Sequence, residues 1–328
     1  MMEFLGSDVL VHVLLLILGL GLVSKGGDLF VESSVEMAHI LRVPHIVIGA
    51  TIVSLATTVP ELTVSVMASM VGNSGIALGN AVGSAIANIG LVIGLVACMT
   101  KIDVDLEDFQ RRAWWMVGSA ILVIFFTWRL RLGPVFGMIL LLVSIAYLFV
   151  DYWIARQRKT EITKEDSQEP KKVGSLKKSV FLFLIGLALV IFGSRILVQS
   201  GIALATAMGV PSVIIGLSII AVGTSLPELV TGIAAARKGV PDLSVGNIVG
   251  ANVLNLALIV GLSSWIHPLT LTRFTQLYSF PWLVIFIFAM IWVFRSQGKV
   301  RRREGLILLS LYLAYILGLM VLPMVLDI

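Results

Sequence analysis

Two glutamates are the residues whose type and surroundings most clearly predict chemistry. Glu61 follows the run Thr57-Thr58-Val59-Pro60, and Glu228 follows Thr224-Ser225-Leu226-Pro227, each within an apolar stretch of the chain. An ionised carboxylate in an apolar medium normally has a partner, because removing its charge from water is costly. Since neither run contains a Lys or an Arg, a bound cation or a proton is the expected counter-charge.

Each glutamate directly follows a proline, and the proline predicts a break in a helix. Proline inside a helix removes a backbone hydrogen bond and clashes with the preceding turn. Carbonyl groups freed in this way can coordinate a cation, and irregular backbone is tolerated at membrane depth where it lines a cavity. The alternative is that Glu61 and Glu228 are structural acids, hydrogen-bonded to hydroxyl groups of neighbouring helices.

The two glutamates belong to a duplicated segment. Residues 44–94 and residues 211–261 match at a constant offset of 167 positions, without a gap. What recurs is the proline, the carboxylate, the amides and the glycines. Duplicated segments that are apolar and interrupted by proline are typical of the two halves of one transport site. The duplication therefore favours ion binding over the structural alternative.

The second part of each copy adds an amide. The runs GNAVGSAIANIG (79–90) and GNIVGANVLNLA (246–257) place Asn88 and Asn255 at matching positions. The small residues allow helices to approach closely, but packing alone does not explain a repeated amide, which needs partners when it is buried. Ser84 adds a hydroxyl group in the first copy.

The donor atoms collected in this way are all oxygens. They come from Glu61, Glu228, Asn88, Asn255, Thr57, Thr58, Thr224, Ser225 and Ser84. A set without His or Cys favours a hard cation over zinc, copper or iron. Ca²⁺ accepts about six to eight oxygens in a flexible geometry, whereas Mg²⁺ requires a rigid octahedron. Two glutamates neutralise one divalent cation or two monovalent cations.

Composition predicts a membrane protein with ten spans. Of the 328 residues, 58% are hydrophobic and 13% charged, against about 25% charged in soluble domains. A span needs about 20 mostly apolar residues. The predicted spans are 8–38, 45–71, 74–98, 112–129, 133–154, 178–207, 210–237, 241–266, 275–295 and 303–326. A hydrophilic linker, 155–177, separates a first unit (1–154) from a second (178–328).

Five predicted spans on each side of the linker mean that the second copy enters the membrane from the opposite face. The expected fold is an all-α polytopic membrane protein of ten transmembrane helices, arranged as two inverted five-helix repeats with proline-broken helices at the ion site. Nineteen of the 24 Lys and Arg lie on the linker side of the predicted membrane, and three lie on the other side. The positive-inside rule then places the linker in the cytoplasm and both termini outside the cell membrane.

Other functional classes are excluded by what the sequence contains. Basic residues lie in loops between apolar runs and do not form a nucleic-acid-binding surface. A lone Cys98 gives neither a disulfide framework nor a CxxC metal site. The sequence has no HExxH motif and no GxSxG nucleophile elbow in a suitable setting, so it does not predict an intramembrane enzyme. Inverted repeats favour a carrier over a passive channel, and neither a cofactor nor an obligate protein partner is expected.

Three charged residues in the first predicted span of each repeat need a separate explanation. Lys25 and Asp28 lie in the first span, and Arg195 occupies the repeat position of Asp28. Charged side chains within membrane spans usually pair with one another. We expect Asp28 and Arg195 to be supporting residues, paired with opposite charges at or near a helix interface.

The duplicated motifs resemble those of the cation/calcium antiporter superfamily, and most of all its sodium/calcium exchanger branch, which includes prokaryotic calcium/sodium antiporters. The resemblance rests on GATIVSLATTVPE with GNAVGSAIANIG, and on GLSIIAVGTSLPE with GNIVGANVLNLA, and it extends over the whole chain. It implies an antiporter that moves Ca²⁺ against Na⁺ by alternating access. Carried over by position, the site would comprise Ser54, Thr57, Thr58, Glu61, Ser84 and Asn88 with Ala221, Thr224, Ser225, Glu228, Ala251 and Asn255.

Two positions depart from the pattern of that family. Many exchangers carry Asp where this chain has Asn255, and Ser where it has Ala251. In the potassium-dependent branch that aspartate is linked to K⁺, so the resemblance implies potassium-independent exchange here. The departures leave the counter-ion open. The alternative is Ca²⁺/H⁺ antiport with Glu61 and Glu228 as proton carriers.

Overall fold

The computed structural model describes residues 2–165, 175–207, 221–295 and 299–325. Residues 211–220, which begin the second copy of the duplicated segment, lie outside the described residues, as do the start of the predicted span 210–237 and part of the linker.

The described residues form helices joined by short loops. The helices are α1 Met2–Leu41, α2 His45–Thr57, α3 Val59–Met70, α4 Ser74–Met99, α5 Leu106–Phe126, α6 Pro134–Glu165, α7 Leu176–Ala207, α8 Ala221–Thr224, α9 Leu226–Arg237, α10 Pro241–Ile266, α11 Thr275–Phe294 and α12 Arg302–Val325. Six of the described helices are long and apolar enough to cross a membrane, or seven if the bent pair α2–α3 is one span. The architecture is that of a helical membrane protein.

Some helix boundaries differ from the predicted spans for local reasons. Helix α5 begins at Leu106 instead of residue 112, because the Asp105 side chain caps it by accepting a hydrogen bond from the Asp108 backbone nitrogen at 2.9 Å. Such a cap satisfies one of the free N–H groups at a helix start. Helix α6 continues to Glu165, so the first part of the predicted linker is helical.

Helices α4 and α10 lie at the centre of the molecule. In their most apolar stretches 72% and 89% of residues are buried, compared with 17% in α1 and 28% in both α6 and α7. Each packs on a partner through facing glycines. An added Cβ would lie 2.7 Å from the Gly94 carbonyl oxygen if placed on Gly305, and 2.7 Å from that of Gly261 if placed on Gly137. These contacts join α4 to α12 and α10 to α6.

Helices α1 and α7 form an antiparallel pair on one side of this centre. An added Cβ would lie 3.2 Å from the Gly193 carbonyl oxygen if placed on Gly19, and 3.0 Å from that of Gly186 if placed on Gly26. Close approach of this kind is how helices associate in lipid, where there is no hydrophobic drive between them. Because Gly19 and Gly26 match Gly186 and Gly193 at the 167-residue offset, the two contacts are equivalent under the repeat.

Two short antiparallel strand pairs tie distant loops together. Strand β1 (Ile102–Asp103) pairs with β4 (Lys299–Val300), and β2 (Arg131–Leu132) pairs with β3 (Leu269–Thr270). The first pair joins the loop after α4 to the loop before α12, and the second joins the loops before α6 and after α10. Each loop is therefore held to one in the other repeat.

Candidate cation-binding site

Both glutamates lie in the first turn of a helix that starts after a break. Helix α2 ends at Thr57 and α3 begins at Val59 with a bend of 43°, and the same break separates α8 from α9 at Ser225. The predicted breaks are therefore present, and each proline lies in the first turn of the helix that follows its break. Proline is favoured there because its missing N–H is one that a helix start leaves unpaired. A helix N-terminus also favours a negative charge.

The breaks bring the two carboxylates together. Glu61 and Glu228 are both 0% exposed, and their side chains are close enough for their charges to repel each other. None of their four carboxylate oxygens has a hydrogen-bond partner among the described residues. Two such groups are electrostatically costly at this depth unless a cation or protons neutralise them.

Further polar atoms without partners are found at the two breaks and on the central helices α4 and α10. Within the described residues, the buried side chains with a polar atom that forms no hydrogen bond include Thr58, Ser84, Asn88, Ser225 and Asn255. For Asn255 this holds for both the amide oxygen and the amide nitrogen. Since buried polar groups nearly always have partners, this concentration at the repeated motifs indicates a ligand-binding site.

The repeated amides coincide with local changes in helical winding. Helix α4 contains a π-helical segment at Asn88–Ile93, and α10 contains one at Leu254–Ile259. Asn88 begins the first segment and Asn255 is the second residue of the other. Such π-helical turns are rare and often occur at functional sites. The winding therefore deviates at nearly equivalent positions in the two repeats.

Two threonine–asparagine pairs link the broken helices to the opposite repeat. Thr57 Oγ1 donates to Asn247 Oδ1 at 3.1 Å, and Thr224 Oγ1 donates to Asn80 Oδ1 at 3.0 Å. The two bonds are equivalent under the 167-residue offset. The amide nitrogen of Asn80 donates in turn to the Glu61 carbonyl oxygen at 3.1 Å. Each threonine therefore uses its proton across the repeats and keeps only its oxygen lone pairs for a ligand.

Asn80 and Asn247 were not among the predicted site residues. Their signal was present in the sequence, because both recur at the repeat offset. Both lie in glycine-rich runs, and close helix packing was a sufficient explanation for those runs.

Asn252 is a second residue that the sequence analysis missed. Asn88 Nδ2 donates to Asn252 Oδ1 at 3.1 Å, and Asn252 Nδ2 donates to the Ala85 carbonyl oxygen at 3.2 Å. These bonds hold the Asn88 amide with its nitrogen occupied and its oxygen unpaired among the described residues. Because the repeat counterpart of Asn252 is Ala85, the first repeat holds no equivalent side-chain anchor for Asn255.

The remaining predicted residues have other surroundings. Ser54 is buried, and its hydroxyl hydrogen-bonds the Ala50 carbonyl oxygen at 2.8 Å. Ala251 is buried and supplies no polar side-chain atom. The side chain of Ala221 lies outside the described residues. In the part of the chain that the structure describes, no group of three or more His, Cys, Asp or Glu could hold a metal ion, so two carboxylates are the acidic component of the site.

The expected ion pair between Asp28 and Arg195 is not found in the described structure. The antiparallel contacts put Gly26 against Leu189 and Gly193 against Val23, so positions 28 and 195 lie at different heights. Arg195 instead lines a cavity of about 220 Å³ together with Pro60, Thr63, Thr224 and Pro227. This cavity adjoins both helix breaks.

Comparisons with known proteins point to one family. A family model described as sodium/calcium exchanger protein matches residues 11–153 and 178–321. Sodium/calcium exchanger MaX1 of Methanosarcina acetivorans is 31% identical, and the alignment covers 94% of this chain and 98% of that protein. Inner membrane protein YrbG of Escherichia coli is 33% identical, with 92% and 94% covered.

Solved structures of an exchanger share the fold. The sodium-calcium exchanger NCX_Mj soaked with Na⁺ and Sr²⁺ matches with a TM-score of 0.80 at 29% sequence identity, over 94% of this chain and 99% of that chain. The same exchanger soaked with Na⁺ and Ca²⁺ matches with a TM-score of 0.77 at 30% identity, covering 94% and 97%.

Proposed function

Since the chain belongs to the sodium/calcium exchanger family, we propose that it is a secondary active antiporter that exchanges Ca²⁺ for Na⁺ across the cell membrane. The observation that carries this proposal is the buried pair Glu61 and Glu228, whose four oxygens have no hydrogen-bond partner among the described residues. Two negative charges at this depth require cations, and a single Ca²⁺ neutralises them.

The proposed ligands are the oxygens that surround this pair. Thr58, Ser84, Ser225 and the amide oxygens of Asn88 and Asn255 have no other partner in the described structure, so an ion would satisfy them. The hydroxyl groups of Thr57, Thr224 and Ser54 donate their protons to other protein oxygens, so each would offer an oxygen lone pair to the ion. Ala221 is included because of the family resemblance. An all-oxygen set around two carboxylates suits Ca²⁺ and Na⁺ over softer metals.

We infer that the transport cycle is alternating access between two inverted five-helix repeats that together form ten spans. Three features support this topology. The α1–α7 glycine contacts and the threonine–asparagine bonds each occur in pairs related by the repeat. Each strand pair also joins loops that the ten-span topology puts on one side of the membrane. In inverted repeats, exchanging the conformations of the halves moves the opening from one face to the other.

We further propose that exchange is independent of K⁺. Asn255 contributes an amide where the potassium-dependent branch has a carboxylate, so the site lacks a third negative charge. Its two carboxylates balance one Ca²⁺ without an additional monovalent cation.

Transport into proteoliposomes tests the proposed function. ⁴⁵Ca²⁺ uptake is measured into vesicles loaded with Na⁺, K⁺ or choline, and into vesicles with only a pH gradient. Uptake that requires internal Na⁺ and is unchanged by K⁺ supports the proposal. Uptake driven by the pH gradient alone would instead establish the Ca²⁺/H⁺ alternative, with Glu61 and Glu228 as proton carriers.

A further inference from the structure

The cavity beside the helix breaks lies in one half of the molecule. Its walls include Pro60 and Thr63 of α3 and Arg195 of α7. Helix α3 runs from the break toward the 71–73 loop, and α7 starts at the linker and passes Arg195 in its second half. The cavity therefore lies on the side of the site that faces away from the linker. Arg195 is exposed and forms no ion pair among the described residues.

The equivalent surface in the linker-side half is closed by direct packing. Gly27 of α1 is the repeat counterpart of Ser194, which lines the cavity. An added Cβ on Gly27 would lie 2.7 Å from Cγ1 of Val230 and 3.6 Å from Cβ of Ala234. Helix α1 thus packs tightly on α9, whereas α7 stands away from α3. Among the described residues, α7 and α3 therefore leave a cavity between them, whereas α1 and α9 are in direct contact.

The two surfaces carry opposite charge at matching positions. Arg195 and Gln199 line the cavity, and their repeat counterparts on α1 are Asp28 and Glu32. Asp28 is partly exposed and has no ion pair in the described structure. Glu32 is 72% exposed at the side chain, 3.4 Å from the Lys238 amine. One wall therefore presents a free positive charge, and the other presents a free negative charge.

We propose that the opposite charges at positions 28 and 195 give the exchanger different apparent Ca²⁺ affinities on its two faces. Arg195 weakens capture of Ca²⁺ from outside, and Asp28 strengthens capture from the cytoplasm. When the repeats exchange conformations, α1 separates from α9 and Asp28 lines the inner entrance as Arg195 lines the outer one. Clefts with low-dielectric walls focus such fields onto an approaching ion. The inference rests on the proposed Na⁺/Ca²⁺ exchange and on the cytoplasmic placement of the linker.

Vesicles of defined orientation test this asymmetry. Initial ⁴⁵Ca²⁺ uptake into Na⁺-loaded vesicles is measured against external Ca²⁺, with right-side-out vesicles for the outer face and inside-out vesicles for the cytoplasmic face. Arg195→Gln should lower the outer KM about fivefold and leave the inner KM unchanged, and Asp28→Asn should raise only the inner KM. The double variant Asp28→Arg/Arg195→Asp should reverse the order of the two KM values. All these effects should shrink at high ionic strength.

Matched controls separate charge from folding. Arg131→Gln and Arg303→Gln each remove a charge from an exposed position outside the cavity, so both should leave the two KM values unchanged. Arg195→Lys keeps the charge and should keep the outer KM. Equal KM shifts on both faces, or a shift only on the opposite face, would overturn the inference. Wild-type vesicles without Na⁺-driven uptake would overturn the proposed function itself.

Discussion

Glu61 and Glu228 are completely buried, and none of their carboxylate oxygens has a hydrogen-bond partner among the described residues, which distinguishes them from the other described acids. A carboxylate with a purely structural role at this depth would be paired with a positively charged side chain or with a hydrogen-bond donor of the protein. Their isolation favours the ion-binding interpretation over the alternative of hydrogen bonds to neighbouring hydroxyl groups. A charge that only the transported ion neutralises is at the same time a reason for that ion to bind.

We predict that Glu61→Gln and Glu228→Gln each abolish Ca²⁺ exchange in a protein that still folds. Each substitution keeps the shape of the side chain and removes half of the negative charge that balances Ca²⁺. Proteoliposome ⁴⁵Ca²⁺ flux gives the activity, and size-exclusion chromatography in detergent gives the folding. Glu107→Gln, at an exposed position on α5, is the matched control and should exchange normally. Near-normal flux in either variant would remove that glutamate from the site.

Asn255 decides the charge balance of the proposed site. With an amide here, one Ca²⁺ leaves the site neutral, whereas three Na⁺ leave it with one positive charge. Asn255→Asp should therefore strengthen Na⁺ competition against Ca²⁺ and introduce K⁺ sensitivity. Interactions between neighbouring charges are on the order of several kcal/mol at effective dielectric constants near 20, which is a readily measurable effect.

The measurement for Asn255→Asp is Ca²⁺ uptake in Na⁺, K⁺ and choline media. Asn73→Asp makes the same chemical change at the exposed start of α4 and should behave like the wild type. Identical Na⁺ and K⁺ dependence in the wild type and Asn255→Asp would show that position 255 does not set the charge of the site.

At the scale of helices, the reciprocal threonine–asparagine bonds explain how short, broken helices are held in place. Each break leaves a helix end in the middle of the protein, where water cannot satisfy it. Thr57 and Asn247, like Thr224 and Asn80, fix each helix end to the central helix of the other repeat. These bonds therefore link each helix break, beside the proposed ion ligands, to the other repeat.

We predict that Thr57→Val and Thr224→Val each lower the stability of the protein by about 1–3 kcal/mol, because the first leaves the buried amide oxygen of Asn247 without its donor and the second leaves the partly buried amide oxygen of Asn80 without its donor. Thermal unfolding in detergent and the KM for Ca²⁺ are measured together. Thr57→Ser restores the donor and should recover both values. Thr63→Val is the control, since Thr63 bonds only the Val59 carbonyl oxygen of its own helix. If Ser at position 57 behaved like Val, the hydrogen bond would not be the cause.

At the scale of the whole molecule, the two strand pairs constrain the topology. In the proposed ten-span arrangement, β1 and β4 lie on the cytoplasmic side with the linker, and β2 and β3 lie outside. If the predicted number of spans between two paired loops were wrong by an odd number, the two strands of that pair would lie on opposite faces of the membrane. Their backbone pairing therefore supports the count.

Cysteine labelling tests this topology. In a Cys98→Ser background, we predict that an impermeant maleimide added to intact cells labels Arg129→Cys, near β2. Lys101→Cys, next to β1, should be labelled only after the cells are permeabilised. Both positions are exposed, and the parent without cysteine gives the background signal. Equal labelling of both variants in intact cells would refute the proposed sides of the membrane.

Several features of the protein were determined by the sequence alone. The constant offset of 167 residues, the paired glutamates after proline and the repeated amides indicated a duplicated, all-oxygen site. The lengths of the apolar runs predicted where helices lie. The match to the sodium/calcium exchanger family model confirms the family that the duplicated motifs resemble. The family and the helix positions could be inferred in this way because repeated motifs and apolar runs are properties of the local chain and do not require knowledge of its neighbours.

The partners of these residues were decided only by the tertiary structure. Thr57 bonds Asn247, 190 positions away, and Asn88 bonds Asn252, 164 positions away. Arg112 is the first residue of the predicted span 112–129, yet its side chain is 1% exposed and its Nε atom lies 2.9 Å from Asp151. Apolar periodicity shows which face of a helix is buried, but not which helix covers it or at what height. Hydrogen-bond partners depend on that relative position, and helix packing sets it.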